Sequence, residues 1–322
     1  MSAEPLLRVD RVNVWFPIRR GVFSRVRGYI RAVQDVSLTV KAGEVLGLVG
    51  ESGCGKSTLA RSILMLQPPV SGVVQWEGRD VYGLRGEEAR QVRRQIQIVF
   101  QDPYASLNPR LPVVQIVTEG LVAHRMIRPD QAAERAVELL ADVGLGTDAL
   151  YRYPHEFSGG QRQRISIARA LSMNPKLIVC DEAVSALDVS IQAQVINLLM
   201  ALKSKYGLSY LFISHDLSVV KLMADRVAVM YLGRVVEEGP TDQVMAKPVH
   251  PYTEALLAVV PEVGRPRGQL PVLAGEIPSV ARPPAGCAFH TRCPLAVDRC
   301  RSERPELSGE KAHKASCHIR RT

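Results

Sequence analysis

The sequence predicts an α/β protein with a largely parallel sheet, followed by an irregular C-terminal segment. Three observations predict it. A short apolar strand runs into a glycine-rich loop at residues 45–58, a second apolar strand ends in two acidic residues at 177–182, and after residue 246 prolines become frequent and periodicity fades. Four of the six cysteines fall in the last 36 residues.

The chain of 322 residues exceeds one average domain, and with 46% apolar and 23% charged residues it can bury a full core. No apolar run approaches the roughly 20 residues a membrane-spanning helix needs. The best stretches, 45–49 and 177–180, are of strand length. Met1-Ser2-Ala3-Glu4-Pro5 offers no basic region followed by an apolar core, so no secretory signal is expected and the chain should stay in the cytoplasm. The formal charge of +9 comes from scattered arginines, not from a stripe with interleaved aromatics, which reads as a solvated basic surface and not a nucleic-acid footprint.

Along the chain, residues 36–40 and 45–49 read as strands joined by the turn Lys41-Ala42-Gly43-Glu44. Residues 96–100 read as another strand, after which Asp102-Pro103 and Asn108-Pro109 should break regular structure. A helix over 130–143 should place Ala133, Val137, Leu140 and Val143 near one face, with Gly144 as its stop. Ser158 can cap a helix running to about Met173, and 177–180 and 209–214 suit buried parallel strands. The glycine-rich loop and the acidic strand end do not repeat, so one such unit is expected: a domain over 1–245 with a helical insert at about 102–157, and an extension over 246–322.

The string Gly50-Glu51-Ser52-Gly53-Cys54-Gly55-Lys56-Ser57-Thr58 fits G-x-x-x-x-G-K-S/T between an apolar strand and a helix beginning at Lys56. Glycines let backbone amides close around phosphate oxygens and the helix N-terminus adds a favourable field. Lys56 is suited to bridging β- and γ-phosphates, and Ser57 to ligating Mg²⁺. A chance glycine turn would leave a lysine at a strand-to-helix junction with no anion to meet. Asp181 and Glu182 stand at the carboxyl end of a strand, where α/β sheets collect ligands. Asp181 suits Mg²⁺, and Glu182 suits polarising an attacking water as general base.

Phe157-Ser158-Gly159-Gly160-Gln161-Arg162-Gln163-Arg164 resembles the signature sequence of ABC ATPases, a far more specific string than the phosphate loop. Physically, Ser158 and the amides of Gly159 and Gly160 at a helix start can form a second anion clamp; a plain helix cap would explain Ser158 but not the paired glycines. The resemblance implies an ABC ATPase core with Gln101 as the Q-loop glutamine and a Mg²⁺ contact, Ser185-Ala186-Leu187-Asp188 as the D-loop, and His215, 33 residues after Glu182, as the switch histidine at the γ-phosphate. In that family two units sandwich two ATPs, each site joining one unit's phosphate loop to the other's signature, so Ser158, Gly159, Gly160, Gln161 and Asp188 would serve a partner's nucleotide. Tyr29 is the candidate to stack on adenine, with Phe16 the runner-up. The family commonly has Pro after the catalytic Glu, whereas this chain has Ala183, which removes a backbone restraint but no catalytic group.

Nearly the whole chain is similar to the oligopeptide/dipeptide importer subfamily, which also serves nickel and metallophore uptake. The strings are Val99-Phe100-Gln101-Asp102-Pro103-Tyr104-Ala105-Ser106-Leu107-Asn108-Pro109, Tyr153-Pro154-His155-Glu156-Phe157, His250-Pro251-Tyr252-Thr253, and the tail around Cys287 and Cys293; the signature resembles the F-type subunit more than its sister. The implied partners are a second ATPase subunit, two transmembrane permeases and an external substrate-binding protein, with the chain peripheral on the cytoplasmic face of the membrane. A soluble ABC ATPase acting on DNA or ribosomes usually carries two fused units or a long coiled-coil insertion, and neither is visible. A non-hydrolytic metal-sensing module conflicts with the intact set of Lys56, Asp181, Glu182 and His215.

Cys287, Cys293, Cys300 and Cys317 follow C-x5-C-x6-C-x16-C, unlike the close pairs of common zinc sites. Clustered cysteines in a cytosolic protein suggest metal, and members of the resembling subfamily can carry a [4Fe–4S] cluster at this tail. A Zn²⁺ staple on the same four residues and unligated buried thiols are the alternatives, and His290, His313 and His318 stand near enough in sequence to replace a cysteine.

Overall fold

The computed structural model describes residues 4–21, 24–258, 275–309 and 312–320. The opening residues 1–3, on which part of the signal-peptide reading rests, lie outside the described residues. The chain divides into two compact units: residues 1–40, 45–82 and 214–322 form one, and residues 41–44 and 83–213 the other.

The first unit begins with β1 (Leu7–Arg20) and β2 (Arg25–Val40), followed by β3 (Val45–Val49), α1 (Lys56–Ile63), β4 (Ser71–Trp76) and β5 (Arg79–Asp80). An antiparallel sheet runs in the order β2-β1-β4-β5. Its inner face comes from alternation: Leu7 pairs Val40 and Trp76, Val9 pairs Leu38 and Val74, and all six are buried. The sequence marks only the last five residues of β2. Residues 25–29 carry arginines and mostly exposed positions, so no apolar run announces them, and β1 interleaves its valines with charge across three register shifts before Trp15.

The second unit contains α2 (Gly86–Gln95), β6 (Ile96–Val99), α3 (Pro103–Ser106), α4 (Val113–Ala123), α5 (Ala132–Asp142), α6 (Gly159–Ser172), β7 (Leu177–Asp181), α7 (Val189–Tyr206) and β8 (Ser209–Ser214). Strands β8, β7 and β6 are parallel neighbours; β7 and β8 are buried nearly throughout, as their apolar runs require, whereas β6 is fully buried only at Ile96 and Val99. Helices α4, α5 and α6 pack on one another. The buried face of α5 is Ala136, Leu139 and Leu140, continued by Val143; Ala133 and Val137 are only partly covered, so the face is rotated from the sequence reading. Asp102-Pro103 opens a short helix instead of only breaking structure, because Asp102 accepts the Tyr104 amide at 2.8 Å and Pro103 takes a first-turn position that needs no donor.

The chain returns to the first unit with α8 (Leu217–Met223), β9 (Arg226–Tyr231), β10 (Arg234–Pro240), α9 (Thr241–Ala246), α10 (Pro251–Ala258), α11 (Asp298–Ser302) and β11 (Lys314–Ala315). Here the strand order is β11-β10-β9-β3, with β3 and β9 parallel and the others antiparallel. The C-terminal segment thus adds a strand to the edge of the sheet that bears the glycine-rich loop. Among the described residues no helix is long and apolar enough to cross a membrane.

Glu237 on β10 fixes this return. Fully buried, it accepts the amides of Val249 at 2.8 Å and His250 at 2.9 Å and bonds His313 Nε2 at 2.7 Å. Removing the carboxylate strands three buried donors at once. Glu237→Ala is expected to lower unfolding free energy by about 3 kcal/mol; a urea midpoint equal to wild type would show that the network contributes nothing.

Candidate functional site

In the first unit the strand-to-helix junction is built by backbone freedom and one buried cation. Gly50, Gly53 and Gly55 have φ of 152°, 77° and 109°. A Cβ on Gly55 would lie 2.1 Å from the Ala32 carbonyl oxygen, so the loop closes only with glycine there. Lys56, 4% exposed, donates from Nζ to the carbonyls of Gly50 at 2.7 Å and Glu51 at 3.0 Å. Its ammonium is thus held by the carbonyls of the loop itself. Beside it, burial raises the Cys54 thiol above its ordinary pKa against the opposing pull of Lys56.

Tyr29 stands on β2, 48% exposed and tilted against Trp15 at 6.1 Å between ring centroids. Phe16, on the paired strand opposite Ile30, is less exposed, so Tyr29 presents the freer ring. His215 is exposed directly after β8; next to it Asp216 accepts the Ser218 amide at 2.8 Å and caps α8.

In the second unit the structure brings Gln101 and Glu182 together, with Gln101 Nε2 donating to Glu182 Oε2 at 2.8 Å. Their positions are 81 apart in sequence, and the contact follows from β6 and β7 being parallel neighbours that both end at this edge. Glu182 has φ of 50°, a left-handed conformation costing roughly 1–3 kcal/mol in a non-glycine residue. Its amide donates to the Ile213 carbonyl at 3.0 Å, while its own carbonyl accepts from the Ser185 amide at 3.1 Å and hydroxyl at 2.9 Å. Ala183 is buried behind it. Beneath Asp181, burial pushes the Cys180 thiol up to about 12, so it is an inert part of the strand.

Ser158 caps α6: its Oγ accepts the Gln161 amide at 3.3 Å while the Gln161 side chain accepts the Ser158 amide at 3.0 Å. Asp188 is the N-cap residue of α7. A Cβ on Gly160 would lie 2.5 Å from Ile191 Cγ2 on α7, whereas one on Gly159 would make ordinary contact with Leu187 at 3.6 Å. Sequence reasoning missed how α6 is tied to the segment after Gln101. The Arg162 guanidinium lies 3.6 Å from the Tyr104 ring centre, and Arg169 donates to the Ser106 carbonyl.

The tail cysteines lie close enough to influence one another. Burial pushes the Cys287 thiol up to about 11, with Cys300, Cys293 and Cys317 adding to the rise. Burial also raises Cys293, with Cys317 and Cys300 again contributing. Three of the four sulfurs meet a backbone N–H: Phe289 at Cys287, Leu295 at Cys293, and Arg320 at Cys317 with 3.4 Å. None of the six cysteines is in a disulfide. Among the described residues, however, no group of three or more His, Cys, Asp or Glu side chains is arranged to hold a metal ion. The histidines near enough in sequence to replace a cysteine are engaged elsewhere: His290 with the Cys287 carbonyl at 2.8 Å, His313 with Glu237, and His318 with the Glu303 carbonyl at 3.0 Å.

Residues 33–185 match the family described as ABC transporter, and residues 236–300 match the oligopeptide/dipeptide transporter C-terminal region. A probable peptide ABC transporter ATP-binding protein of Sinorhizobium fredii is 55% identical over 99% of this chain and 91% of its own length. The oligopeptide transport ATP-binding protein AppF of Bacillus subtilis is 52% identical over 99% and 98%, and OppF of Salmonella typhimurium 49% over 97% and 95%. Among solved structures, CbiO1 of Clostridium perfringens, part of an ABC transporter complex, superposes with a TM-score of 0.64 at 29% identity, covering 76% of this chain and 92% of that one. A dimeric ATP-binding cassette in a post-hydrolysis state with ADP and phosphate gives 0.63 at 28%, covering 73% and 98%. With relatives this similar along their full length, the chain belongs to the ABC transporter family, as an α/β ATPase subunit with a C-terminal extension.

Proposed function

We propose that this chain is the F-type ATPase subunit of a peptide importer, peripheral on the cytoplasmic face of the membrane and working with a second ATPase subunit, two permeases and an external substrate-binding protein. The observation that carries this reading is similarity to peptide transport ATP-binding proteins over 97–99% of the chain, extending beyond the ATPase core into the oligopeptide/dipeptide C-terminal region. We assign the ATPase domain to 1–245, with the helical insert at about 102–157 as the face offered to the permeases, and the extension to 246–322.

Each side chain then has a task. Amides of the loop other than that of Glu51, which the Tyr252 hydroxyl holds, cradle phosphate oxygens, and Lys56 turns from the Gly50 and Glu51 carbonyls toward the β- and γ-phosphates. Mg²⁺, when bound, neutralises charge that develops on the transferring phosphoryl group; Ser57, Asp181 and Gln101 would hold it. Glu182 orients the attacking water and takes its proton, and Gln101, already hydrogen-bonded to that carboxylate, keeps it in line. His215 contacts the γ-phosphate, and Tyr29 stacks on adenine. Ser158, Gly159, Gly160, Gln161 and Asp188 complete the partner's site.

Glu182→Gln is expected to keep ATP binding while lowering turnover by roughly 10²–10⁴-fold, because the amide retains shape and loses the base. Hydrolysis near the wild-type rate would remove Glu182 from that role. Lys56→Ala should weaken nucleotide binding itself, since a charge-assisted phosphate contact is lost, and unchanged affinity in a fluorescence assay would sink the loop assignment.

For the tail we propose a [4Fe–4S] cluster on Cys287, Cys293, Cys300 and Cys317. The cysteine pattern, the mutual influence of the thiols and the three amide donors to sulfur support it, since N–H···S bonds are a normal part of cluster cradles. No three thiols close on one centre as they stand; the four cysteines would hold the cluster, which would tie together a segment poor in periodic apolar residues. Anaerobically purified protein should be brown, with iron and acid-labile sulfide in comparable amounts. Colourless protein with stoichiometric zinc and no sulfide would decide for a zinc staple.

A further inference from the structure

Within the first unit, the C-terminal segment reaches the phosphate loop directly. Arg292, its side chain 4% exposed, forms a two-point fork on Glu51, the second residue of the loop: Nη1 to Oε2 at 2.8 Å and Nη2 to Oε1 at 3.1 Å. The Glu51 amide, one of the loop donors, is taken by the Tyr252 hydroxyl at 2.8 Å. Tyr252 is positioned in turn by its own amide, which donates to His250 Nδ1 at 3.1 Å, and the His250 amide is held by Glu237. Phe289 closes the group, packed edge-on to Tyr231 at 5.3 Å and tilted against Tyr252 at 5.4 Å.

We propose that Arg292 and Tyr252 are positioning residues for nucleotide binding, coupling the fold of the cysteine-bearing tail to the phosphate loop. A carboxylate at Glu51 stands in a loop that must receive a triphosphate, and like charge there opposes binding. The Arg292 fork neutralises that carboxylate and turns it to the tail side; the Tyr252 hydroxyl fixes the neighbouring peptide. Coupling between two sites is reciprocal, so whatever loosens residues 287–293 weakens nucleotide binding, and bound nucleotide steadies the tail. The proposal rests on residues 50–58 being the nucleotide loop and is independent of what the cysteines bind.

The test uses the full chain, purified anaerobically, and a fluorescent ATP analogue. Arg292→Met should weaken binding by roughly 5- to 150-fold, the span of ordinary two-site coupling. Glu51→Gln placed in that background should restore most of the loss, because the exposed like charge is gone, and Arg292→Lys should fall between, keeping charge without the fork. Tyr252→Phe, which deletes one oxygen, should weaken binding less and in the same direction; it carries the test if Arg292→Met does not fold. Hydrogen exchange supplies the second readout: nucleotide should slow exchange at residues 287–300 in the wild type and not in Arg292→Met. A folded Arg292→Met with wild-type affinity, or a loss that Glu51→Gln does not relieve, would overturn the proposal. Lys56→Ala in the same assay separates the two failures, since unchanged affinity there would discredit the loop itself and not the clamp.

Discussion

The burial of the Lys56 ammonium is the constraint around which the first unit is arranged. A lysine kept from water must find oxygen partners, and here it takes the carbonyls of Gly50 and Glu51. For those carbonyls to face Lys56 the loop must adopt positive φ at Gly50, Gly53 and Gly55, and for the loop to hold that shape its flanks must be rigid. The rigidity comes from β3, buried along its whole length and paired in parallel with β9, and from α1, which starts at the lysine itself. The shape of the loop and the burial of the cation are thus one constraint: neither holds without the other.

The same loop explains why the C-terminal extension is not an independent appendage. It contributes β11 to the sheet edge, a buried His313 to Glu237, and Phe289 to the aromatic group around Tyr231 and Tyr252. Burial, with the charge of Arg320 adding to it, pushes the His250 imidazole down to about 3, so the ring is neutral at any physiological pH and free to accept the Tyr252 amide. Apolar and polar contacts therefore point the same way: the tail folds against the elements that carry the glycine-rich loop, within one compact unit.

What was legible in the sequence was whatever chemistry compresses into a short string. The strand-loop-helix at 45–63, the strand ending at Asp181 and the cap at Ser158 each depend on neighbours in sequence, and all three stand where expected. The long hairpin of β1 and β2 was not legible, because its outer half is exposed and arginine-rich and its pairing is a matter of cross-strand register. Nor was the Arg292–Glu51 fork, whose partners are 241 positions apart. One signal could have raised it: Glu51 is an acidic residue inside a string that reads as a phosphate loop, and such a charge calls for a cation from elsewhere in the chain.

The start of α6 shows how a structure redistributes the weight of a motif. Read as sequence, the paired glycines after Ser158 go unexplained by a plain helix cap and suit an anion clamp. Gly160 has a sufficient reason without one, since Ile191 leaves no room for a Cβ and the helix could not otherwise approach α7. Ser158 has another, the reciprocal cap with Gln161. Gly159 has neither: a Cβ there would meet only Leu187 at ordinary contact distance, and its backbone is not in the left-handed region that favours glycine. A residue with room for a side chain, standing where free amides begin a helix, is the one whose smallness the fold does not explain. The case for a second phosphate clamp therefore narrows from an octapeptide to the open surface beside Gly159, where the approach of another molecule's phosphate is what a side chain would block.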